Sequence, residues 1–257
     1  MRKLDYKVII SKIEGWIKEY INATNVNGVI LGLSGGIDSA VTTSLCVKAL
    51  GKENVIALSL PCSSIPGDLN DAKKLAECLG IQFIIFELTD IYNEFLKKSS
   101  SQFKSNKLAL ANLKPRLRML TIYFISQSLG KYLVIGTSNR TEMAIGYFTK
   151  YGDGGVDIEP IGDLYKCEIR EIAKILKVPQ EIINKSPSAG LWEGQTDEDE
   201  IGLTYEVLDE IIFRIDNHLD LNDLDQDNVK KVKGMMKAAH HKLNVPPVCK
   251  INTTKDL

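Results

Sequence analysis

The run GVILGL at residues 28–33 is apolar from end to end, without the alternation of a strand that has one wet face. A helix-like run, AVTTSLCVKAL, follows shortly after and stops at Gly51. The pattern then repeats. NVIALSL (54–60) reads as a second strand, LNDAKKLAECLG as a helix with Gly80 as its stop, IQFIIFEL (81–88) as a third strand before a short helix, and YLVIGT (132–137) as a fourth strand. Strands apolar on both faces must be covered on both faces. Separated by helices, they predict parallel pairing through right-handed crossovers. The expected fold class is therefore α/β, a doubly wound parallel sheet flanked by helices.

The remaining segments fit around that sheet. Tyr6, Ile9, Ile10, Ile13, Trp16, Ile17, Tyr20 and Ile21 recur at helical spacing and predict an amphipathic opening helix. KKSSSQFKSNK (97–107) reads as a flexible polar connection, and the helix after it is expected to break or restart near Pro115. YKCEIREIAKILKV reads as a helix, with Pro179 after it. LWEGQTDEDEIG reads as a mobile acidic segment, and helices over 204–217 and 227–243 close the fold.

The junction after the first strand reads GLSGGIDS, residues 32–39. Gly35 and Gly36 carry no side chains, so backbone N–H groups can approach an anion closely. The next helix aims its N-terminus at the same place, and Ser34 and Ser39 add hydroxyls. No Gly-Lys-Ser/Thr follows, which points away from γ-phosphoryl transfer. Asp38 would repel phosphate unless a divalent cation lay between them, and Mg²⁺ commonly bridges carboxylate and phosphate oxygens. A lone Gly-Gly would read as a tight turn with Asp38 as a helix cap; the whole hexamer after the first strand favours the phosphate site.

In an open parallel sheet, ligands bind beyond the carboxyl ends of the strands. TSNRTE after the fourth strand makes Glu142 a second candidate metal ligand, and a first-turn carboxylate that merely suits its helix dipole is an equal reading. Arg116 and Arg118 point in different directions on a helix, so one can bind an anion while the other does something else. In GYFTKYGDGGVDIEPIGDLYK, Phe148 and Tyr151 flank Lys150 among glycines and acids, as a loop for a flat polar ligand would; an irregular connection with exposed aromatics fits equally. TDEDE (196–200) is better read as a solvated acidic loop. His240–His241 has no cysteines nearby to complete a metal site, and His218 reads as a surface residue.

Composition excludes several classes. A net charge of -1 gives no bulk grip on nucleic acid. No apolar run approaches the ~20 residues of a membrane span, and the first residues do not resemble a secretory signal. Five scattered cysteines without a CxxC suit neither zinc nor a disulfide framework and fit a cytoplasmic protein.

Taken together, NLKPRLRM, GTSNRTE, GYFTKYGDGG, PIGDLYK, SPSAGLWEGQTDEDEIGLTY and HHKLNVPP, in that order behind SGGIDS, resemble the NAD⁺ synthetases. These belong to the N-type ATP pyrophosphatase group, with an adenine nucleotide alpha hydrolase-like fold. SGGxDS alone is shared with GMP synthetases, asparagine synthetases and tRNA-modifying enzymes. The resemblance implies a ligase of NAD biosynthesis that amidates deamido-NAD⁺ with ammonia and ATP through an adenylated intermediate. ATP would be held by Gly32, Leu33, Ser34, Gly35, Gly36, Ile37, Asp38 and Ser39, with Thr137, Lys166 and Ser188. Mg²⁺ would sit on Asp38 and Glu142. Deamido-NAD⁺ would be held by Arg116, Lys150, Asp157, His241 and Lys242. Asp38, Lys166 and Asp153 would be catalytic, Asp153 helping ammonium enter and lose its proton. Loops around 62–68 and 192–202 would close over the adenylate.

The family also implies a homodimer whose dinucleotide site draws on both subunits. Only about 27 residues precede the first strand, too few for a glutamine amidase domain, so the expectation is one domain over 1–257 that uses ammonia directly. Neither nucleic acid nor membrane is an expected partner. The alternatives are another SGGxDS ATP pyrophosphatase, GMP synthetase-like or tRNA-modifying, or a non-catalytic adenine-nucleotide sensor that would need the phosphate loop but not Glu142, Lys150 or Lys166.

Overall fold

The structure, a computed structural model, describes residues 2–64, 66–188, 194 and 196–250. Helix α1 (Tyr6–Thr24) leads into strand β1 (Gly28–Gly32), helix α2 (Ile37–Leu50) and strand β2 (Val55–Ser59). Helix α3 (Pro66–Leu79), strand β3 (Gln82–Ile85), helices α4 (Thr89–Ser100) and α5 (Lys107–Leu129) and strand β4 (Tyr132–Ile135) follow. The chain then runs through α6 (Arg140–Ile145), α7 (Lys166–Ile175), α8 (Gln180–Ile183), α9 (Asp197–Ile201), α10 (Tyr205–Asp216) and α11 (Gln226–Leu243).

The strands form one sheet in the order β3-β2-β1-β4, and every pairing is parallel. Val29 faces Val55 on one side and Leu133 on the other. The chain therefore builds outward from β1 to β3, then crosses back to place β4 on the opposite flank of β1. The reversal leaves a crevice at the carboxyl ends of β1 and β4, where such sheets bind ligands.

Alternation along each strand explains the apolar runs. Val29, Leu31, Val55, Ala57 and Ile135 point into one core with α1, α2, α3 and α7. Ile30, Ile56, Leu58 and Val134 point into a second core, where Tyr92 of α4 and Leu113, Leu117 and Ile122 of α5 cover them. Helix α2 is buried on nearly all sides, as a helix wedged between sheet and helices must be. A third cluster joins α6, α10 and α11 through Ile145, Leu208, Ile212 and Val232.

Several expectations change. The third strand is shorter than 81–88 because β3 is a sheet edge; past Ile85 only Phe86 and Leu88 still donate, to Ser59 O and Pro61 O. The polar connection narrows to residues 101–106, since α4 runs to Ser100 and α5 starts at Lys107. Helix α5 runs unbroken through Pro115. Proline removes one donor there, but Ala111, Lys114 and Thr121 are buried around it and that packing holds the helix together. On α1, Ile10, Ile17 and Ile21 are the buried face, whereas Trp16 and Tyr20 stay partly exposed with ring centroids 5.7 Å apart.

Candidate active site

Three helix N-termini meet at the crevice between β1 and β4. Asp38 stands in the first turn of α2, Glu142 in the first turn of α6, and Lys166 opens α7. Lys166 Nζ lies 2.5 Å from Asp38 Oδ2 and 3.2 Å from Glu142 Oε1. Asn139 orients both carboxylates. Its side chain caps α6 by accepting from the Glu142 N–H, and its Nδ2 donates to Asp38 Oδ1 at 2.9 Å. Glu142 both returns the cap to Asn139 and joins the charged trio.

The SGGIDS loop is bent by glycine where glycine is required. Gly35 has φ +82°, and a Cβ there would fall 2.3 Å from the Asp68 carbonyl oxygen. Ser34 and Ser39 brace the loop from within, their hydroxyl oxygens 3.1 Å apart and Ser39 Oγ donating to Gly36 O. No side chain caps α2, so its first-turn amides remain available to an anion. Gly32 and Leu33 continue β1, where the Leu33 N–H donates to Leu58 O, and Ile37 is buried as α2 starts.

Electrostatics follow from burial. Burial pulls the Lys166 ammonium toward neutrality, but Asp38 and Glu142 outweigh it and hold the pKa above the ordinary lysine value. Burial pushes Glu142 up to about 7, with Lys166 pulling it down and Asp38 and Asp197 raising it. Tyr205 carries the network outward: its hydroxyl lies 3.0 Å from Asp197 Oδ2 and 3.3 Å from Glu142 Oε1, and Lys166 Nζ sits 4.8 Å from its ring centroid. Tyr147 reaches Asp197 and Glu200 at 3.1 and 2.8 Å.

That contact corrects the reading of TDEDE as a solvated loop at Asp197, while Asp199 and Glu200 stay exposed. Residues 197–201 form α9, capped by Thr196, and Asp197 is 4% exposed, its carboxylate accepting from the Tyr147 and Tyr205 hydroxyls. Leu191, Trp192, Glu193 and Gln195 of the expected acidic loop lie outside the described residues, as does Ile65 of the 62–68 loop.

Asp38, Glu142 and Asp197 set three carboxyl groups around the one ammonium of Lys166 and the Tyr205 hydroxyl. Among the described residues no three acidic, histidine or cysteine side chains close into a metal cage. Two carboxylates that leave the rest of the shell to phosphate and water suit Mg²⁺, which keeps several waters and takes one or two carboxylates.

Thr137 follows β4 between Gly136 and Ser138, half-buried at the same crevice. Glu159 packs over this turn: a Cβ on Gly136 would meet its carboxyl at 2.2 Å, and the Ser138 N–H donates to Oε2. Burial lifts Glu159 to about 8, offset in part by the Ser138 bonds. Ser188 lies exposed at the end of the 184–188 segment. Three residues earlier, Lys185 Nζ donates to Asp68 at 2.9 Å and to Asp71, and lies 3.4 Å from Gly35 O at the back of the SGGIDS loop.

The expected dinucleotide residues separate into two groups. Arg116, Lys150, His241 and Lys242 come together. Arg116 Nη2 is 3.5 Å from Lys150 O, Lys150 Nζ donates to His241 O at 2.5 Å, and Lys242 Nζ donates to Gly146 O and Phe148 O. Asp157 is engaged elsewhere, accepting from the Val134 N–H and the Tyr123 hydroxyl where residues 157 and 158 extend along β4. Asp153 accepts from the Thr149 N–H inside the Lys150 loop rather than from the trio. That residue reaches the surface, yet protein atoms crowd its carboxyl and raise its pKa. Arg118 is the structural arginine of the pair, pinning the turn after β2 through Leu60 O and Ser64 Oγ, while Arg116 is exposed.

A family model described as NAD synthase matches residues 9–246. The chain belongs to the NAD synthase family. A curated relative from Archaeoglobus fulgidus, an NH(3)-dependent NAD(+) synthetase, is 43% identical over 250 residues, covering 96% of this chain and 98% of its own. Among solved structures, NMN synthetase from Francisella tularensis superposes with TM-score 0.88 at 35% identity, over 97% of this chain and 100% of its own. The NH3-dependent NAD synthetase from Campylobacter jejuni, in complex with the nitrate ion, superposes with TM-score 0.82 at 34% identity, over 96% and 100%. The fold of this family is the adenine nucleotide alpha hydrolase-like α/β fold expected from the motifs.

Within the family frame, four residues of the site escaped the sequence reading. Asn139, Tyr205 and Lys185 act across long separations, and their local signals, a cap, a helix start and a basic residue, are generic. Asp209, 1% exposed, reads locally as one more acid in a helix.

Proposed function

We propose that this chain converts deamido-NAD⁺ to NAD⁺ with ammonia and ATP, by way of an adenylated nicotinate. The observation that carries the reading is the Asp38–Lys166–Glu142 trio beside the SGGIDS loop, in a chain of the NAD synthase family. In the first step a nicotinate carboxylate oxygen attacks the α-phosphorus of ATP, and the bond to the pyrophosphate oxygen breaks with its electrons leaving on pyrophosphate. In the second step ammonia attacks the carbonyl carbon, its nitrogen loses a proton to water, the carbon–oxygen bond breaks, and AMP departs with the former carboxylate oxygen. No protein nucleophile is required, so positioning and charge stabilisation carry the rate.

Gly32–Ser39 hold the phosphates through backbone amides, with Thr137 and Ser188 as further contacts. Lys166 meets the charge that grows on pyrophosphate. Asp38 and Glu142, released by Lys166 as it turns to the pyrophosphate, would hold Mg²⁺, which would supply further positive charge there. Arg116, Lys150, His241 and Lys242 hold the dinucleotide, and Asp153 receives the proton that ammonium sheds. The chain acts as one catalytic domain and as a homodimer in the cytoplasm. Its five cysteines carry free thiols, as a reducing compartment allows, and no described helix is long and apolar enough to cross a membrane.

The relatives favour the dinucleotide, whereas the Francisella tularensis neighbour is an NMN synthetase, so the acceptor assay offers both substrates. Purified protein with Mg-ATP is supplied with deamido-NAD⁺ or nicotinate mononucleotide, and with ammonium or glutamine. The expected result is NAD⁺ from the dinucleotide with ammonium. Faster turnover of the mononucleotide would replace the acceptor, and glutamine-dependent turnover by this chain would refute direct use of ammonia.

A further inference from the structure

We propose that Asp209 is a positioning residue: one buried carboxylate on α10 fixes α6 against α7, and so fixes Glu142 relative to Lys166. The inference rests on the reading above that those two residues serve bound ATP. Glu142 and Lys166 are 24 positions apart in sequence, joined by the irregular, glycine-containing segment 146–165. Such a segment cannot by itself hold two side chains 3.2 Å apart.

Asp209 adds a buried constraint to those at the rim, where the Arg140 N–H donates to Leu164 O and Asp216 accepts from both Arg140 and the Tyr165 hydroxyl. Its Oδ1 accepts from the Thr141 hydroxyl at 2.5 Å, and its Oδ2 accepts from the Cys167 N–H at 2.8 Å. The Lys166 N–H lies 3.4 Å from the same Oδ1 and 3.3 Å from Thr141 Oγ1. Thr141 is fully buried and is the residue before Glu142; Lys166 and Cys167 open α7. One carboxylate therefore bonds the chain next to one member of the trio and the backbone of another.

Two alternatives are simpler: a helix cap, or a satisfied polar group in a core. The first amides of α7 do need acceptors, and Asp209 provides them. A cap alone does not explain the Thr141 bond, which leaves α7 and crosses to α6. Burial raises the Asp209 pKa while Thr141 and the Cys167 and Lys166 amides lower it, so its charge is met by donors from both helices. Residues behind a charged site commonly matter to it through such bonds.

The test is calorimetric binding of Mg-ATP to the full chain, with melting temperature and acceptor KM measured alongside. Thr141→Val removes the hydroxyl and keeps the shape; Thr141→Ser restores the hydroxyl. The expected result, measured where every variant is folded, is about tenfold weaker Mg-ATP binding by Thr141→Val with acceptor KM near wild type, and binding recovered in Thr141→Ser; the melting temperature of Thr141→Val falls, because a buried carboxylate loses a donor. Asp209→Asn, which sets an amide nitrogen or a single acceptor against the same donors, should weaken Mg-ATP binding in the same way and serves if Thr141→Val does not fold. Unchanged Mg-ATP binding in Thr141→Val, or equal losses of ATP and acceptor affinity, would overturn the proposal. A wild-type chain that binds Mg-ATP but makes no NAD⁺ would defeat the proposed function, while the calorimetric comparison would still decide the role of Asp209.

Discussion

Lys166 is 2% exposed and remains charged because two carboxylates face it. Breaking such a pair by removing one partner is far more costly than a surface substitution, since it leaves charge buried without compensation. Lys166→Met keeps the length of the side chain and removes its ammonium. The expected outcome is a fall in kcat of about 10²–10³, the range for deleting one group that meets transition-state charge, read as slower pyrophosphate release. Asp38→Ala should likewise abolish pyrophosphate release, and unchanged release would refute a metal role for Asp38. Asp38 was legible in the sequence because the hexamer around it has few other uses. Asn139 was not: its capping role is local, but its bond to Asp38 spans 101 positions and exists only once β1 and β4 lie side by side. Asp197 was misread for the same reason, because Tyr147 and Tyr205, which donate to it, come from other elements.

Among the elements, the turn after β4 carries the clearest pH signature. Glu159 is raised from the usual 4.5 to about 8 by burial against Gly136 and Ser138. Between those values the unfolded chain has released a proton that the folded chain retains. Stability from this group is therefore present at low pH and is lost as pH rises through that window, completely so above about 8. Glu159→Gln should remove that part of the pH dependence. Urea unfolding of variant and wild type at several pH values measures it, and the two slopes should differ by at most about 1.4 kcal/mol per pH unit. The SGGIDS loop offers a second element-level test: Gly35→Ala meets both the positive φ and the Asp68 carbonyl, so it should weaken ATP binding and lower the melting temperature. The elements themselves were largely legible, since strands buried on both faces leave long apolar runs. Pro115 misled because local propensity speaks against proline in a helix, and only the burial of the surrounding turns in α5 overrides it.

The molecule as a whole is organised by the reversal between β1 and β4, which gathers three helix N-termini into one crevice. That geometry follows from the strand order, and the alternation of strands and helices anticipated the sheet but not the order. The α4–α5 flank presents Ile91, Phe95, Leu108, Leu120 and Phe124 exposed, a large apolar surface for a monomer. In the homodimer proposed above, a second copy covers apolar surface of this kind. Sedimentation equilibrium should give a dimer, and Phe124→Asp should shift it toward monomer with a higher KM for the dinucleotide. A wild-type monomer with full activity would refute the dimer. The most direct test of the chemistry follows an oxygen atom. Deamido-NAD⁺ labelled with ¹⁸O in its nicotinate carboxylate is incubated with the protein, ammonium and Mg-ATP, and the products are weighed by mass spectrometry. Attack at the α-phosphorus requires NAD⁺, pyrophosphate and AMP in equal amounts, with one ¹⁸O in the AMP phosphate. ADP, with the label in inorganic phosphate, would contradict it.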